Sequence, residues 1–444
     1  MDSECPLLRG PDHEIIMSMN IIWSRCACAM LLCPPLHADP TITPPVPTVS
    51  ISEVAVRIPA PLGLPNPARF GIAVAAEDDR IFIGCDGRRD GIPLEGQVLV
   101  FEPGAPGSWT WTGTLVSPKS APGDEFGSVL ALDGNHLVIG APGSNGQRGA
   151  AWCIDLNTPG DLLQAMHQVP IPDTSPGDRF GESVAIHHGI VAVGAPRADV
   201  DGFLDRGRVV TASMTPHGPR HRGEPTPARP KSGLRFGWSL AIGTMLDIGA
   251  PGADATSPRA DRRIDRAGAV IRFELDPPHR RIESRHRPEA KRLERFGTCL
   301  STAGGDSLLV GSPRGFLDEV RSGVISLVSE RPPAEIGAPI QPESALGQPL
   351  VGNESIFAAG MPGRRDAHDR PKPGVRLGRI LPEAIVPSFD LLLKDHERTF
   401  FSLSLSPSGR LLAIGSPDPA FDDGPEVPGE VHLVRLEPML RFTK

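Results

Sequence analysis

The sequence predicts an all-β protein, a single seven-bladed β-propeller with four-stranded antiparallel blades. Glycine (49 residues) and proline (50) exceed a fifth of the 444 residues, which suits many short strands and tight turns. A Phe-Gly element recurs seven times at a period of about 55 residues. Each copy contains four short β-compatible stretches, the strand number of a propeller blade. Solenoids have repeats of similar length, but seven copies without a helical stretch favour a closed ring.

Each repeat begins with Phe-Gly and continues to Gly-Ala-Pro or a variant of it. Five Phe-Gly copies are intact, such as "EFGSVLA" at Phe126, and two weaker copies start at Leu346 and Phe400. The motif residues that we expect to be structural are Phe70, Gly71, Phe126, Gly127, Gly140, Pro142, Phe180, Gly181, Gly194, Pro196, Phe236, Gly237, Gly249, Pro251, Phe296, Gly297, Gly311 and Pro313.

The chemistry of these residue types explains that expectation. The strand after Phe-Gly is predicted to be innermost, lining a narrow channel, and therefore favours small side chains such as Ser, Ala and Val. The phenylalanine is a large apolar side chain suited to a position between two blades. The following glycine permits close backbone approach or a positive φ. The proline has no N–H and ends the strand ladder.

The second repeat illustrates the strand order from channel to rim. "SVLAL" (128–132) and "HLVIG" (136–140) are short apolar strands separated by a tight turn. "GAAWCIDL" (149–156) follows the Gly-Ala-Pro loop, and the more polar "LLQAMHQVPI" (162–171) leads to the next Phe-Gly. The change from apolar to polar indicates a blade whose fourth strand lies at the rim.

The sequence also predicts how the ring closes. The last repeat has three strands after Phe400 and ends with "GEVHLVRLE" (429–437). A fourth strand, "ISEVAVRIPA" (51–60), precedes the first Phe-Gly instead. The N-terminal strand is therefore predicted to close the last blade as its rim strand, which removes a free edge.

This pattern of Phe-Gly and Gly-Ala-Pro elements resembles the FG-GAP repeat of the integrin α-subunit propeller, and its short bacterial-type variant most of all. The resemblance covers roughly residues 51–440. It implies the propeller fold and a role in binding. Family members often carry a calcium loop before the Gly-Ala-Pro strand. Here that position holds only tight turns such as "LDGN" and "IHHG".

The first 50 residues differ in composition from the propeller. Residues 1–38 are predicted to be a leader, interpreted as a secretory signal peptide that starts at Met17 or Met19; the alternative is a disordered leader. Residues 39–50 are a Pro-rich linker, and 51–444 form the propeller. No apolar run reaches the ~18 residues of a spanning helix. We therefore expect an exported protein, secreted, periplasmic or at the cell surface, without a transmembrane span.

Acidic clusters in the loops after Gly-Ala-Pro are candidate metal sites, with calcium as the candidate cofactor. Carboxylates two residues apart on a loop can bind a hard cation. Aspartate is also a common turn residue, so the same clusters fit plain turns. The candidates are Asp199, Asp201, Asp205, Asp254, Asp261, Asp265, Asp418, Asp422 and Asp423.

A basic stretch, "HRRIESRHRPEAKRLERFG" (279–297), precedes the fifth Phe-Gly. It falls in the rim-strand region and could contact an anionic partner. The alternative is a solvated rim whose charges prevent edge-to-edge aggregation. The candidate ligand-binding residues are Arg280, Arg281, Arg285, Arg287, Lys291 and Arg292.

Composition and motifs limit the classes of function. A net charge of −8 argues against nucleic-acid binding. The body cysteines, Cys85, Cys153 and Cys299, lack metal or disulfide spacing and are interpreted as buried apolar residues. No nucleophile elbow, P-loop or HExxH motif is present. We expect a non-catalytic binding or scaffold module for protein or carbohydrate; the alternatives are a propeller hydrolase or lyase and a self-assembling envelope protein.

Overall fold

The structure, a computed structural model, is a seven-bladed β-propeller. It describes residues 46–64, 68–89, 92–158, 162–171, 173–257, 262–287, 290–317, 320–329, 334–337, 345–365, 372–381, 384–393, 402–417 and 429–436. The predicted leader and most of the predicted linker lie outside these ranges, as does Phe400.

The strands follow the chain blade by blade. The chain enters through β1 (Thr48–Ser50), a helical turn at Ile51–Val54 and β2 (Ala55–Pro59). The first blade contains β3 (Ala73–Ala76), β4 (Ile81–Cys85), the hairpin strands β5 (Arg88–Arg89) and β6 (Ile92–Pro93), β7 (Gln97–Pro103) and β8 (Trp109–Val116). The second contains β9 (Val129–Asp133), β10 (His136–Ala141), a helical turn at Ser144–Gln147, β11 (Ala150–Asp155) and β12 (Met166–Gln168).

The third blade contains β13 (Ser183–His187), β14 (Ile190–Ala195), β15 (Arg208–Ser213) and β16 (Arg220–Gly223). The fourth contains β17 (Leu240–Ile242), β18 (Met245–Ala250), the hairpin strands β19 (Ala255–Thr256) and β20 (Arg263–Ile264), β21 (Ala269–Glu274) and β22 (Arg281–Arg285). The fifth contains β23 (Cys299–Thr302), β24 (Leu308–Ser312), the hairpin strands β25 (Phe316–Leu317) and β26 (Val320–Arg321), β27 (Val324–Val328) and β28 (Ala334–Gly337).

The sixth blade contains β29 (Leu350–Gly352), β30 (Ile356–Met361), β31 (Gly374–Leu381) and β32 (Ala384–Leu392). The seventh contains β33 (Ser402–Leu405), β34 (Leu411–Ser416) and β35 (Glu430–Arg435), with β2 as its fourth strand. All pairs within the four-stranded units are antiparallel, as the sequence predicts.

The N-terminal strand closes the last blade, and this prediction is confirmed. β2 pairs antiparallel with β35, with Val56 opposite Leu433 and Ile58 opposite Val431. The strand is shorter than predicted, because residues 51–54 form a helical turn that buries Ile51 completely between the sixth and seventh blades. Just before it, β1 adds a parallel fifth strand to β32 at the rim of the sixth blade.

The phenylalanines of the repeats lie between blades, as predicted. The described core divides into seven clusters, one between each pair of neighbouring blades. Phe126 is fully buried between Val98 of the first blade and Leu137 of the second. Leu346 occupies the same place in the sixth repeat. Since burial of such large apolar side chains contributes heavily to core stability, the first residue of each described Phe-Gly element helps to join two blades.

The glycines of the two motif elements meet across the blade boundary. Gly127 has a φ of +86°, and its N–H donates to the carbonyl of Gly140 in the same blade. The Cα of Gly140 in turn faces the next blade, where an added Cβ would lie 2.3 Å from the carbonyl oxygen of Gly181. The same contact joins the seventh blade to the first, through Gly415 and Gly71. The glycines are required because backbones touch there.

The innermost strands line a central cavity of about 260 Å³. Small residues such as Ala131 and Ala185 contribute to the wall, but larger ones do too, among them Leu132, Ile186 and Ile242. The favoured small side chains are thus present in the wall, together with larger aliphatic ones.

Candidate binding surface

One face of the ring collects the Phe-Gly turns and the Gly-Ala-Pro loops, and we call it the Phe-Gly face. In an antiparallel blade, the loop from the second to the third strand and the loop into the next blade lie at the same end. Hydrogen bonds join the two sets of loops: the N–H of Arg235 donates to Asp205 O (3.0 Å), and that of Phe236 to Arg206 O (2.9 Å). The described candidates Asp199, Asp201, Asp205, Asp254 and Asp265 therefore lie in loops of the Phe-Gly face.

The loop of the third blade holds the first acidic group. Asp199 accepts a hydrogen bond from the backbone N–H of Asp205 (Oδ1–N 2.8 Å). Asp201 forms an ion pair with Arg206, and Asp205 Oδ2 lies 3.9 Å from Nη2 of Arg235. Each of these carboxylates therefore already has a partner within the protein.

The loop of the fourth blade shows the same behaviour. Asp254 lies 2.7 Å from Nζ of Lys231 and 2.6 Å from Nη2 of Arg263. Although burial raises the pKa of this carboxyl group, the bonds from Lys231 and from the N–H of Arg266 lower it below its usual value. Asp265 lies 3.3 Å from Nε of Arg263.

The other candidates, Asp261, Asp418, Asp422 and Asp423, lie outside the described residues. Within the described ranges, no three His, Cys, Asp or Glu side chains are grouped as ligands of a metal ion. The candidate metal-binding carboxylates that the structure describes either pair with basic side chains or accept a hydrogen bond that holds their loop together. Calcium binding at these loops stays a prediction.

The basic stretch divides into exposed and buried side chains. Arg280, Arg281 and Arg285 lie on or beside the rim strand β22, and Arg280 forms an ion pair with Glu274. Lys291 places its ammonium group 4.9 Å from the centre of the Phe316 ring, and Arg292 is exposed. The exposed members could contact a partner from the side of the fourth blade.

Arg287 does not belong to this exposed group, which corrects the prediction of it as a ligand-binding residue. Only 6% of the residue is exposed. Its Nη1 donates to Glu294 (2.6 Å), and its Nη2 donates to Glu335 in the fifth blade (2.9 Å). Since both carboxylates pair with it, Arg287 joins two blades and is structural.

Another set of arginines was missed by reasoning from the sequence, although the pattern was present. Arginine precedes Phe-Gly in four repeats, as Arg69, Arg179, Arg235 and Arg295. The structure places all four on the Phe-Gly face with a positive φ near +57°. The letters "RFG" were the signal that could have identified them.

A chain of alternating charges runs along this face over the first three blades. Arg69 pairs with the buried Asp86 (2.8 Å), which also pairs with Arg88 (2.8 Å). Arg179 pairs with Glu125 (2.6 Å) and Glu182 (3.1 Å). The arginines of these blades are therefore neutralised by neighbours.

The opposite face carries the histidine pair noticed in the sequence. His187 ends β13, and its ring centre lies 4.0 Å from that of His188 in the following turn. Burial lowers the pKa of His187, the charge of His188 lowers it further, and Asp133 opposes both effects. The pair therefore lies in a turn, as the sequence predicts.

The central cavity offers no chemistry of an active site. Its wall consists of aliphatic side chains, glycine, proline and the hydroxyl residues Ser301, Thr302 and Ser404. No acid, base or thiol appears among the described residues that form the wall. Acid–base catalysis requires such a group within reach of the substrate.

In the described ranges, no helix is long and apolar enough to cross a membrane.

The cysteines of the body agree in part with their interpretation as apolar residues. Cys85 and Cys153 are completely buried, and burial raises the pKa of both thiols. Cys299 is half-buried and lies at the start of β23, with a pKa raised by burial to about 12. None of the three is in the ionised form that reacts readily near neutral pH.

Comparison with known proteins agrees with the architecture. The profile of the FG-GAP repeat family matches residues 109–154 and 170–209, which lie in the first three blades. The crystal structure of RRP9 WD40 repeats has a TM-score of 0.53 and 11% identity, covering 88% of this chain and 99% of that one. At this identity the likeness concerns the fold alone. No curated protein matches the chain.

Proposed function

We propose that this chain, an FG-GAP repeat protein with an integrin α-like propeller, is an exported, non-catalytic binding module for an acidic protein or carbohydrate. The observation that carries the proposal is the exposed basic edge of the fourth blade. This edge consists of Arg280 and Arg281, which lie where the rim strand β22 begins at the end of the blade away from the Phe-Gly face, and of Arg292, which follows that strand on the way to the fifth Phe-Gly pair. Charge concentrated on one side of a net-acidic protein favours a partner of opposite charge at that side.

The ring itself supports a binding role. Backbone contacts and buried apolar clusters between neighbouring blades hold the described blades together as a scaffold for the loops. Loops held on a rigid scaffold are suited to recognition, because little entropy is lost when they bind. Export is supported by the signal-like leader pattern in residues 1–38.

The test is affinity capture with immobilised protein of residues 40–444. Native surface and secreted material is applied at low and at high salt, with calcium or with a chelator, and bound material is identified. A partner held by the basic edge should be released at high salt, because exposed charges are screened. A partner lost on chelation would instead support metal sites in the acidic loops.

Two double variants distinguish binding at the basic edge from binding through the overall charge of the protein. The double variant Arg281→Gln/Arg292→Gln removes two exposed charges from the edge. The matched control, Arg410→Gln/Arg435→Gln, removes two exposed charges from the seventh blade. We expect the first variant to lose the partner and the control to retain it. Equal binding by wild type and both variants would contradict the proposal.

A further inference from the structure

The arginine before the fifth Phe-Gly pair, Arg295, differs from its counterparts in its surroundings. In the preceding repeat, Arg235 faces Asp205 from the neighbouring Gly-Ala-Pro loop, with 3.9 Å between Nη2 and Oδ2. The equivalent position in the next loop, two residues before the glycine that ends it, is Arg266. A carboxylate is thus replaced by a second guanidinium group at the boundary of the fourth and fifth blades.

A pocket of about 80 Å³ opens at this boundary on the Phe-Gly face. Arg235, Arg266 and Arg295 line it together with Trp238 and Thr298. The guanidinium carbon of Arg235 lies 5.3 Å from the centre of the Trp238 ring, a cation–π contact that orients the group.

The charges in and beside the pocket are almost all positive. Burial lowers the pKa of Arg295, and repulsion from Arg314, Arg235 and Arg266 lowers it further. Within the described ranges, Asp205 is the one carboxylate that pairs with any of these four guanidinium groups, and at 3.9 Å it is distant. Four guanidinium groups that converge around one distant carboxylate repel one another, and a bound anion would relieve this repulsion.

Uncharged residues at neighbouring positions also leave these guanidinium groups without an acidic partner. In the third repeat, Glu182 follows the Phe-Gly pair and neutralises Arg179 at 3.1 Å. In the fourth and fifth repeats the same position holds Trp238 and Thr298, which carry no charge. The acidic partner that Glu182 supplies to Arg179 is therefore missing beside both Arg235 and Arg295.

We propose that this pocket binds a tetrahedral oxyanion, the sulfate or phosphate ester group of an acidic ligand. Guanidinium forks match the oxygens of such groups with paired hydrogen bonds. The pocket is small compared with the ~300–1,000 Å³ of sites for whole ligands, so it accommodates one group of a larger molecule. That the larger molecule is a binding partner rests on the function proposed above; binding of the anion itself does not.

The test is titration of the intact protein with sodium sulfate and with sodium phosphate, followed by tryptophan fluorescence and calorimetry. Sodium chloride and sodium acetate at equal ionic strength are the references. Trp238 lines the pocket and reports occupancy. We expect a saturable response to sulfate or phosphate that the references do not give, and the stronger of the two identifies the ester. An equal response to acetate, or none to any anion, would overturn the proposal.

Variants locate the response in the pocket. Arg295→Gln and Arg266→Gln each remove a charge-assisted hydrogen bond, which corresponds to a loss of roughly 10- to 100-fold in affinity. Arg262→Gln removes an exposed charge from the same loop as Arg266 without changing the pocket lining, and should leave the affinity unchanged. Equal weakening by Arg262→Gln would refute the site. Without anion, Arg295→Gln should unfold no earlier than wild type, because it relieves repulsion.

The two proposals fail in different ways. Loss of partner capture together with intact sulfate or phosphate binding would refute the binding function and leave the pocket. Partner capture that persists in Arg295→Gln, with no response of wild type to either anion, would refute the pocket and leave the function.

Discussion

Replacing Gly140 with alanine tests why each Gly-Ala-Pro element begins with glycine. A Cβ at Gly140 would lie 2.3 Å from the carbonyl oxygen of Gly181 in the next blade. Ordinary van der Waals contact begins at 3.4 Å, so the two backbones must separate locally by about 1 Å. The backbone of Gly140 lies outside the left-handed region of positive φ, so alanine introduces crowding without backbone strain.

The expected loss of stability follows from this crowding. Overpacking of a core costs about 1–3 kcal/mol, and the upper part of that range applies because a backbone carbonyl cannot rotate away. Gly181 is fixed further by its own N–H, which donates to Gly194 O at 2.9 Å. Alanine also restricts the unfolded chain, which offsets about 0.4–1 kcal/mol. The net decrease in the free energy of unfolding should therefore be about 2 kcal/mol.

Urea denaturation followed by circular dichroism measures the effect. The matched control is Gly113→Ala in β8, where no atom lies within 4 Å of an added Cβ. The control should change the free energy of unfolding by less than about 0.5 kcal/mol or raise it slightly. If both variants unfold at the same urea concentration, the contact between blades does not explain the glycine.

Three further predictions concern closure and charge. A chain that begins at residue 61 lacks β2, leaves the edge of β35 unpaired, and should aggregate on size-exclusion chromatography; a stable monomer would contradict closure. A hydrogen bond from His432 lowers the pKa of Glu430 from 4.5 to about 2, and Arg57 of β2 assists against the effect of burial. Because the folded-state pKa is depressed, this contribution is complete above about pH 4.5 and is lost as the pH falls toward 2. A plot of the free energy of unfolding against pH should therefore be flatter between pH 4.5 and 2 in Glu430→Gln than in the wild type. The exposed-site control Glu102→Gln should keep the slope of the wild type. Arg287→Met leaves two carboxylates unpaired at a blade boundary and should lower the free energy of unfolding by about 3–5 kcal/mol in urea titration, whereas Arg281→Met should not.

The sequence by itself determined the fold, the number of blades and the closing strand. Strand length, turn residues and the Phe-Gly and Gly-Ala-Pro elements are local features, and repetition makes each of them visible seven times. The contact of Gly140 with Gly181 is a consequence of the same repeat, since Gly84, Gly194, Gly249, Gly311 and Gly415 meet a glycine of the next blade in the same way.

Only the tertiary structure shows which charged side chains are exposed to a partner and which are paired within the protein. Arg287 and Glu335 are 48 residues apart in the chain, and only the packing of two blades shows that they neutralise each other. Arg281 has a similar sequence context but lies exposed on the rim strand. The pocket around Arg295 likewise depends on side chains from two loops that meet across a blade boundary. Pairing of charges depends on distances in space, and a pattern of residue types along the chain does not fix those distances.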